Sequence, residues 1–252
     1  MSKQFSLSEH LQQEHQMSPF QTYLKEIVYG GSDGIVTTFA VVAGFTGAAS
    51  NAVSASNSSA VTTYSFLTVL LFGFANLLAD ATSMGLGNFL SLRSEKDMYK
   101  THEAKELHEI RSNPKMEREE TIAILAQKGF TNDQAVKLAE IYKTNESYWL
   151  SFMMNHELQL SNPKGEIPLY TALATFLAFT VFGIIPLLPY IILKHADGVF
   201  PYSLFATFTA LTLLGILRWK VTAESISRSV GEIVLLGSIS AIVAFAVGTF
   251  FR

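Results

Sequence analysis

The chain has 252 residues, 49% of them hydrophobic, with a mean hydropathy of +0.28, 19 Phe and no Cys. The lack of Cys excludes disulfides and thiolate metal sites. A net charge of −3 without a basic stripe argues against a nucleic-acid partner. The apolar residues are bunched into blocks of about 20, the length that crosses a bilayer, and nearly all charge lies between the blocks. The fold class this predicts is an all-α integral membrane protein.

Residues 1–25 form a polar lead without the apolar core of a cleaved signal peptide. The unit 26–92 holds the first two spans, at about 27–48 and 61–92. Residues 49–59, rich in Ala, Ser and Asn and free of charge, read as a linker between them. The second apolar run is too long for one crossing. No Pro interrupts it, so the helix is expected to continue into water, where Arg93-Ser94-Glu95-Lys96-Asp97 begins.

Residues 93–166 read as a soluble helical insertion. Its helices are predicted at 93–112, broken by Asn113-Pro114, then at 115–128, 133–143 and 145–160. Gly129-Phe130-Thr131-Asn132-Asp133 supplies one C-cap and the next N-cap. The unit 167–252 carries spans three to five, at about 168–193, 199–217 and 230–251, the first kinked by Pro186 and Pro189. Five spans put the termini on opposite sides. Of the 18 Lys and Arg, 11 lie in 93–166, Lys3 and Lys25 in the lead, and Arg218, Lys220 and Arg228 in one loop. Only Lys194 and Arg252 remain for the other face, so the lead and the insertion are expected to be cytoplasmic.

Four groups of residues carry chemistry. Asp33 sits in the first span within Tyr29-Gly30-Gly31-Ser32-Asp33-Gly34. A carboxylate at the centre of a membrane helix costs ~2.5–3.5 kcal/mol on insertion scales and faces a water-filled path or a partner. Asp33 is thus either an ion ligand or a cap near the surface. In the second span Asn76, Asp80 and Met84 recur every four residues and form one stripe. This stripe is either the other wall of an ion path or a set of interhelical hydrogen bonds. In the insertion Glu103, Glu106 and Glu109 recur every three residues, followed by Glu117 and Glu120 beyond the Pro. Like charges so spaced repel unless something positive lies between them; with Lys100, Lys105 and Arg111 interleaved, the first helix is either a solvated charged helix or part of a cation site. On the last helix of the insertion, Met153 and Glu157 share a face, with Met154 alongside.

Oxygen ligands alone suit Mg²⁺ or Ca²⁺, whereas an added thioether favours a softer transition ion. His102, His108 and His156 are further possible ligands. No Glu is followed by His three residues later, as a ferritin-like di-iron site would require. EF-hand, zinc-finger and P-loop patterns are also absent. The residues therefore point to an open carboxylate surface for a divalent cation. Glu224 and Glu232, near the cytoplasmic surface, receive no role. A metal sensor or store without transport stays open, and a ferroxidase-like enzyme is disfavoured.

From about Lys25 to its C-terminus the chain resembles the vacuolar iron transporters. The resemblance is carried by Ser32-Asp33-Gly34 with Phe39-Ala40, Ser83-Met84-Gly85-Leu86-Gly87, Ser94-Glu95, and Phe152-Met153-Met154 with Glu157. It implies a five-span homodimer, not an enzyme, that moves Fe²⁺ and in some members Mn²⁺ or other divalent metals out of the cytosol in exchange for protons. The metal is substrate, and no cofactor is implied. By the same resemblance Asp33 and Met84 match pore ligands and Glu26 an acid at the cytoplasmic mouth. Glu106, Glu109, Glu117, Glu120, Met153, Met154 and Glu157 match metal-collecting positions. One departure stands out: Asn76 occupies the place of a Glu in the plant-type pattern, and an acid, Asp80, follows one turn later. With no sorting signal recognised in the lead, a prokaryotic cytoplasmic membrane is favoured over a vacuole.

Overall fold

The computed structural model describes residues 19–55, 59–193, 198–222 and 224–250. Residues 1–18 of the polar lead, 56–58 of the expected linker, Lys194 and Arg252 lie outside them. The described residues form ten α-helices, joined by turns and two short 3₁₀ segments, and contain no strand. In chain order these are α1 (Pro19–Thr22), α2 (Leu24–Ala55), α3 (Ser59–Ser112), α4 (Pro114–Gln127), α5 (Asn132–Lys143), α6 (Glu146–His156), α7 (Pro168–Gly183), α8 (Leu188–Ile192), α9 (Phe200–Thr222) and α10 (Ile226–Phe250). Five stretches are long and apolar enough to cross a membrane: Leu24–Ala48, Phe66–Ser112, Pro168–Ile192, Phe200–Thr222 and Ile226–Phe250. The all-helical, five-span class expected from the sequence is the one observed.

The chain divides into two compact units. The first comprises Met1–Asn88 and Leu169–Arg252 and is centred on α2, which packs against both α9 and α10. One of its cores joins Phe39, Val42 and Ala43 of α2 to Leu77 and Ala81 of α3 and Phe179 of α7. Another joins Ile35 to Leu211, Leu214 and Ile233. Two close backbone approaches require glycine. A Cβ on Gly34 would collide with the Phe179 carbonyl of α7, and one on Gly248 with the backbone of Gly44. At Pro186 and Pro189 the third span changes from α7 to the 3₁₀ turn Ile185–Leu187 and then α8, because proline removes donors and clashes with the preceding turn. The Ser203 hydroxyl donates to the Pro186 carbonyl at 2.6 Å, satisfying one acceptor at the break.

Helix α2 continues to Ala55, where the sequence had predicted a linker from 49. Neither Gly nor Pro lies between 49 and 55, and alanine is the strongest helix former. Turn-favouring composition without a breaker does not end a helix that is already propagating. Helix α3 runs unbroken to Ser112. Its apolar part ends near Leu92, about 40 Å from Phe66 at 1.5 Å per residue, and this already exceeds the ~30 Å hydrocarbon core of a bilayer.

The second unit is Phe89–Pro168. Pro114 starts α4, where a missing N–H costs nothing and the preceding residue is pushed out of helical geometry. Helix α5 opens with a reciprocal cap between Thr131 and Gln134. In α6 the Asn145 side chain accepts the Tyr148 N–H at 3.1 Å. Ile110, Leu125, Ala135, Trp149, Phe152 and Met153 form the core. Arg111 grips Glu146 through two hydrogen bonds of 2.9 and 2.7 Å, and Arg118 pairs with Glu140. Helix α6 stops at His156, short of the predicted 160, because Gln159 turns the chain with φ of 54°. Glu157 is the C-cap of α6, its backbone still in helical geometry and its N–H bonded to the Met153 carbonyl one turn earlier.

Candidate metal centre

Three carboxylates converge in the second unit. Glu106 comes from α3, Glu117 from the first turn of α4, and Glu157 from the end of α6. One oxygen of each lies within 4.8 Å of the others. On an unbroken helix Glu117 would stand about 16 Å along the axis from Glu106. The reversal at Asn113-Pro114 brings the two side by side.

Glu106 and Glu117 are buried, at 2% and 5% exposure, whereas Glu157 is exposed. Glu106 Oε1 and Glu117 Oε2 are shielded from solvent and receive no hydrogen bond from an N–H or hydroxyl donor. Buried acceptors left unpaired are costly and uncommon. Burial, reinforced by the charges of Glu157 and Glu117, pushes the Glu106 carboxyl up to about 8. Burial and the Glu120 charge raise Glu117 to about 6, although its hydrogen bond with Glu106 opposes the rise. Although its side chain reaches solvent, partial desolvation by the neighbouring helices raises Glu157 first, then the charges of Glu120 and Glu109, with Lys105 opposing. Glu106 thus keeps its proton at neutral pH, and a divalent cation binding at the trio would displace it.

The other expected residues fall around this centre. Glu109 and Glu120 contribute negative potential rather than a converging oxygen, and Glu109 also pairs with Lys105 at 3.6 Å. Met153 and Met154 are fully buried on α6, the helix that ends in Glu157. The Glu157 N–H donates to the Met153 carbonyl at 2.9 Å. The three histidines of the insertion supply no oxygen-trio partner, and the His156 ring packs edge-on to Phe152 at 4.7 Å.

The membrane set belongs to the first unit. Asn76 Nδ2 donates to Asp80 Oδ2 at 2.8 Å, one turn along α3. Met84 packs against the core that contains Phe39 and Phe179. Asp33 is half-buried on α2, its carbonyl accepts the Thr37 hydroxyl at 2.8 Å, and its charge and that of Asp80 repel each other. Glu26 is buried in the first turn of α2, where a negative charge suits the helix dipole.

A sequence profile described as the VIT family matches residues 24–249. The chain belongs to the VIT family. Among curated relatives it is 34% identical over 223 residues to "Vacuolar iron transporter 1" of Arabidopsis thaliana, covering 88% of this chain and 83% of that protein. It is 32% identical over 241 residues to a protein of the same name in Tulipa gesneriana, covering 95% and 92%. It is also 32% identical over 234 residues to "Vacuolar iron transporter" of Plasmodium falciparum, covering 89% and 81%.

Two features of this VIT chain were not read from its sequence. One is the hydrogen-bonded pair Thr121 and Trp149 beneath Glu117; a lone Thr in an amphipathic helix gives no signal. The other is an ion-pair cluster in the first unit. Arg218 reaches Glu232 at 2.8 Å and Glu224 at 3.9 Å, and Arg228 reaches the same two at 3.1 and 3.8 Å. This cluster ties α9 to α10 and gives Glu224 and Glu232 two structural partners each.

Proposed function

We propose that the chain is a membrane transporter of Fe²⁺ that moves the ion out of the cytosol in exchange for protons, with Mn²⁺ and other divalent transition ions as further cargo. The observation that most supports this is the carboxylate trio Glu106, Glu117 and Glu157, with two buried oxygens that meet no N–H or hydroxyl donor, in a chain of a family whose relatives are named iron transporters. The ion is cargo, and no cofactor or catalytic residue enters the reading.

The chemistry follows from the ligands. Glu109 and Glu120 raise the local concentration of cations by their potential. Binding at the trio expels the protons that burial retains on Glu106 and Glu117. The thioethers of Met153 and Met154 bias the choice toward softer ions. In the membrane, Asp33 and Met84 take the ion, again as carboxylate with thioether, and Glu26 is assigned to the cytoplasmic entrance. Competition of proton and metal for the same oxygens provides the exchange. Asp80, held by Asn76, takes the coupling role that the plant-type Glu would have.

The excess of Lys and Arg in 93–166 supports a cytoplasmic placement of that domain and of the N-terminus. A homodimer is the assembly proposed. The relatives' names place them in vacuoles; for this chain we propose a prokaryotic cytoplasmic membrane, and in both settings the ion leaves the cytosol. The test is Fe²⁺ uptake into liposomes holding the purified protein, with and without a pH gradient. Uptake that follows the gradient is expected. Binding without uptake would leave a sensor or store, and the transport reading would fall.

A further inference from the structure

The Thr121 hydroxyl lies where three parts of the second unit meet. Thr121 stands one turn after Glu117 on α4 and is 0% exposed. Its Oγ1 accepts the indole Nε1–H of Trp149 at 2.8 Å. The same oxygen lies 2.7 Å from the Glu117 carbonyl and 3.4 Å from the Met153 sulfur. A threonine hydroxyl has one proton and two lone pairs, and an indole only donates. Trp149 therefore occupies a lone pair, and the single proton serves either the Glu117 carbonyl or the thioether.

Met153 is consequently tied on two sides to residues of the carboxylate trio. Its sulfur touches the hydroxyl that is bonded to the Glu117 backbone, and its own carbonyl accepts the Glu157 N–H at 2.9 Å. Left to itself a methionine side chain has three rotatable bonds and fills space adaptably. A Met acting only as core filler needs no polar neighbour at its sulfur. Trp149, one turn before Met153 on α6, supplies the donor that fixes the hydroxyl, so both helices contribute to the arrangement.

We infer that Thr121 and Trp149 are positioning residues that hold the Met153 thioether in the orientation that gives the carboxylate trio its preference for soft divalent ions over hard ones. The inference rests on the proposed metal site. When an ion takes a sulfur lone pair, the Thr121 proton turns to the Glu117 carbonyl, and the Trp149 bond is unchanged. The arrangement thus serves the empty and the occupied site without rebuilding. Selectivity resides in the sulfur's orientation, whereas the carboxylates set the overall affinity.

The experiment titrates the full-length purified protein in detergent with Co²⁺ and with Mn²⁺ by calorimetry. Outer-shell partners of metal ligands are worth roughly 10–100-fold in affinity. Thr121→Val is expected to weaken Co²⁺ about tenfold, the lower end of that range, and to leave Mn²⁺ unchanged. Thr121→Ser, which keeps the oxygen, is expected to restore Co²⁺ binding, and Trp149→Phe to weaken it in the same direction as Val. Against a Met153→Leu background Thr121→Val is expected to have no further effect, because it acts through that sulfur. Thr121→Ala reads the same question should the valine variant not fold.

Equal losses for both ions, or losses that add to that of Met153→Leu, would reduce the pair to an ordinary core hydrogen bond and overturn the inference. If Met153→Leu erases the Co²⁺ preference and Thr121→Val does not, the positioning role falls and the metal site stands. If Glu117→Gln leaves both ions bound as in the unchanged protein, the metal site itself falls, and the inference with it.

Discussion

Two polar clusters of this chain solve the same electrostatic problem in opposite ways. In the second unit Glu106, Glu117 and Glu157 are gathered from three helices, and two of their oxygens are left unpaired. In the first unit the polar groups of α3 pair with each other, Asn76 with Asp80 along one turn, and Asp33 faces them from α2 with a like charge. An unpaired buried carboxylate is costly, so the trio is poised to accept a cation. The membrane set stores less of that penalty, because Asn76 donates to Asp80. The two clusters thus differ in their degree of polar satisfaction, and the difference can be broken at either end.

The largest expected effect is at the membrane end. Asp33→Ala should abolish Fe²⁺ uptake into liposomes while calorimetric binding at the trio persists. Uptake at the unchanged rate would remove Asp33 from the path. Next, Glu106→Gln with Glu117→Gln should lower metal affinity at least tenfold, on the scale of ligand-shell losses, and uptake should survive at high ion concentration. An unchanged binding isotherm would dissolve the cluster.

A smaller effect is set by pH. The folded protein keeps Glu106 and Glu117 protonated up to about 8 and about 6, above the ordinary carboxylate value of 4.5. Between pH of about 5 and about 8 the folded state therefore binds more protons than the unfolded one, and stability falls as pH rises. The metal-free protein should melt at a lower temperature at the upper end of that window, and saturating Co²⁺ should remove the slope. A melting temperature that rises with pH would contradict the raised carboxyls. The smallest change expected is from Asn76→Glu, which should steepen the dependence of uptake on the proton gradient without changing the affinity of the trio. No change in that dependence would leave Asp80 alone as the coupling acid.

Much of the fold was legible because single-residue physics decides it. Apolar runs of bilayer length and the Asn113-Pro114 break need no tertiary information, and both appear where the sequence places them. The helical continuation through 49–55 was not legible, because Ser and Asn favour turns only where nothing else commits the backbone. For the candidate site, spacing revealed that Glu106 and Glu109 share a face, but it could not say which carboxylates from different helices would meet. Glu157 joins Glu106 and Glu117 from the end of α6, a meeting of three helices that spacing along one of them does not encode. Thr121 was invisible for the same reason, since its partners Trp149 and Met153 come from another helix.

The contact of Gly34 with the Phe179 carbonyl has a consequence for how the first unit can move. Backbone lies against backbone there, as it does again where Gly248 meets Gly44. Such seats tolerate neither axial slippage nor rotation, because any shift drives main-chain atoms into one another. Asp33 is the immediate neighbour of Gly34, so its depth along α2 is set by the mating of two helices. A carboxylate mounted in this way keeps one depth within the first unit, so whatever meets it has to come to it.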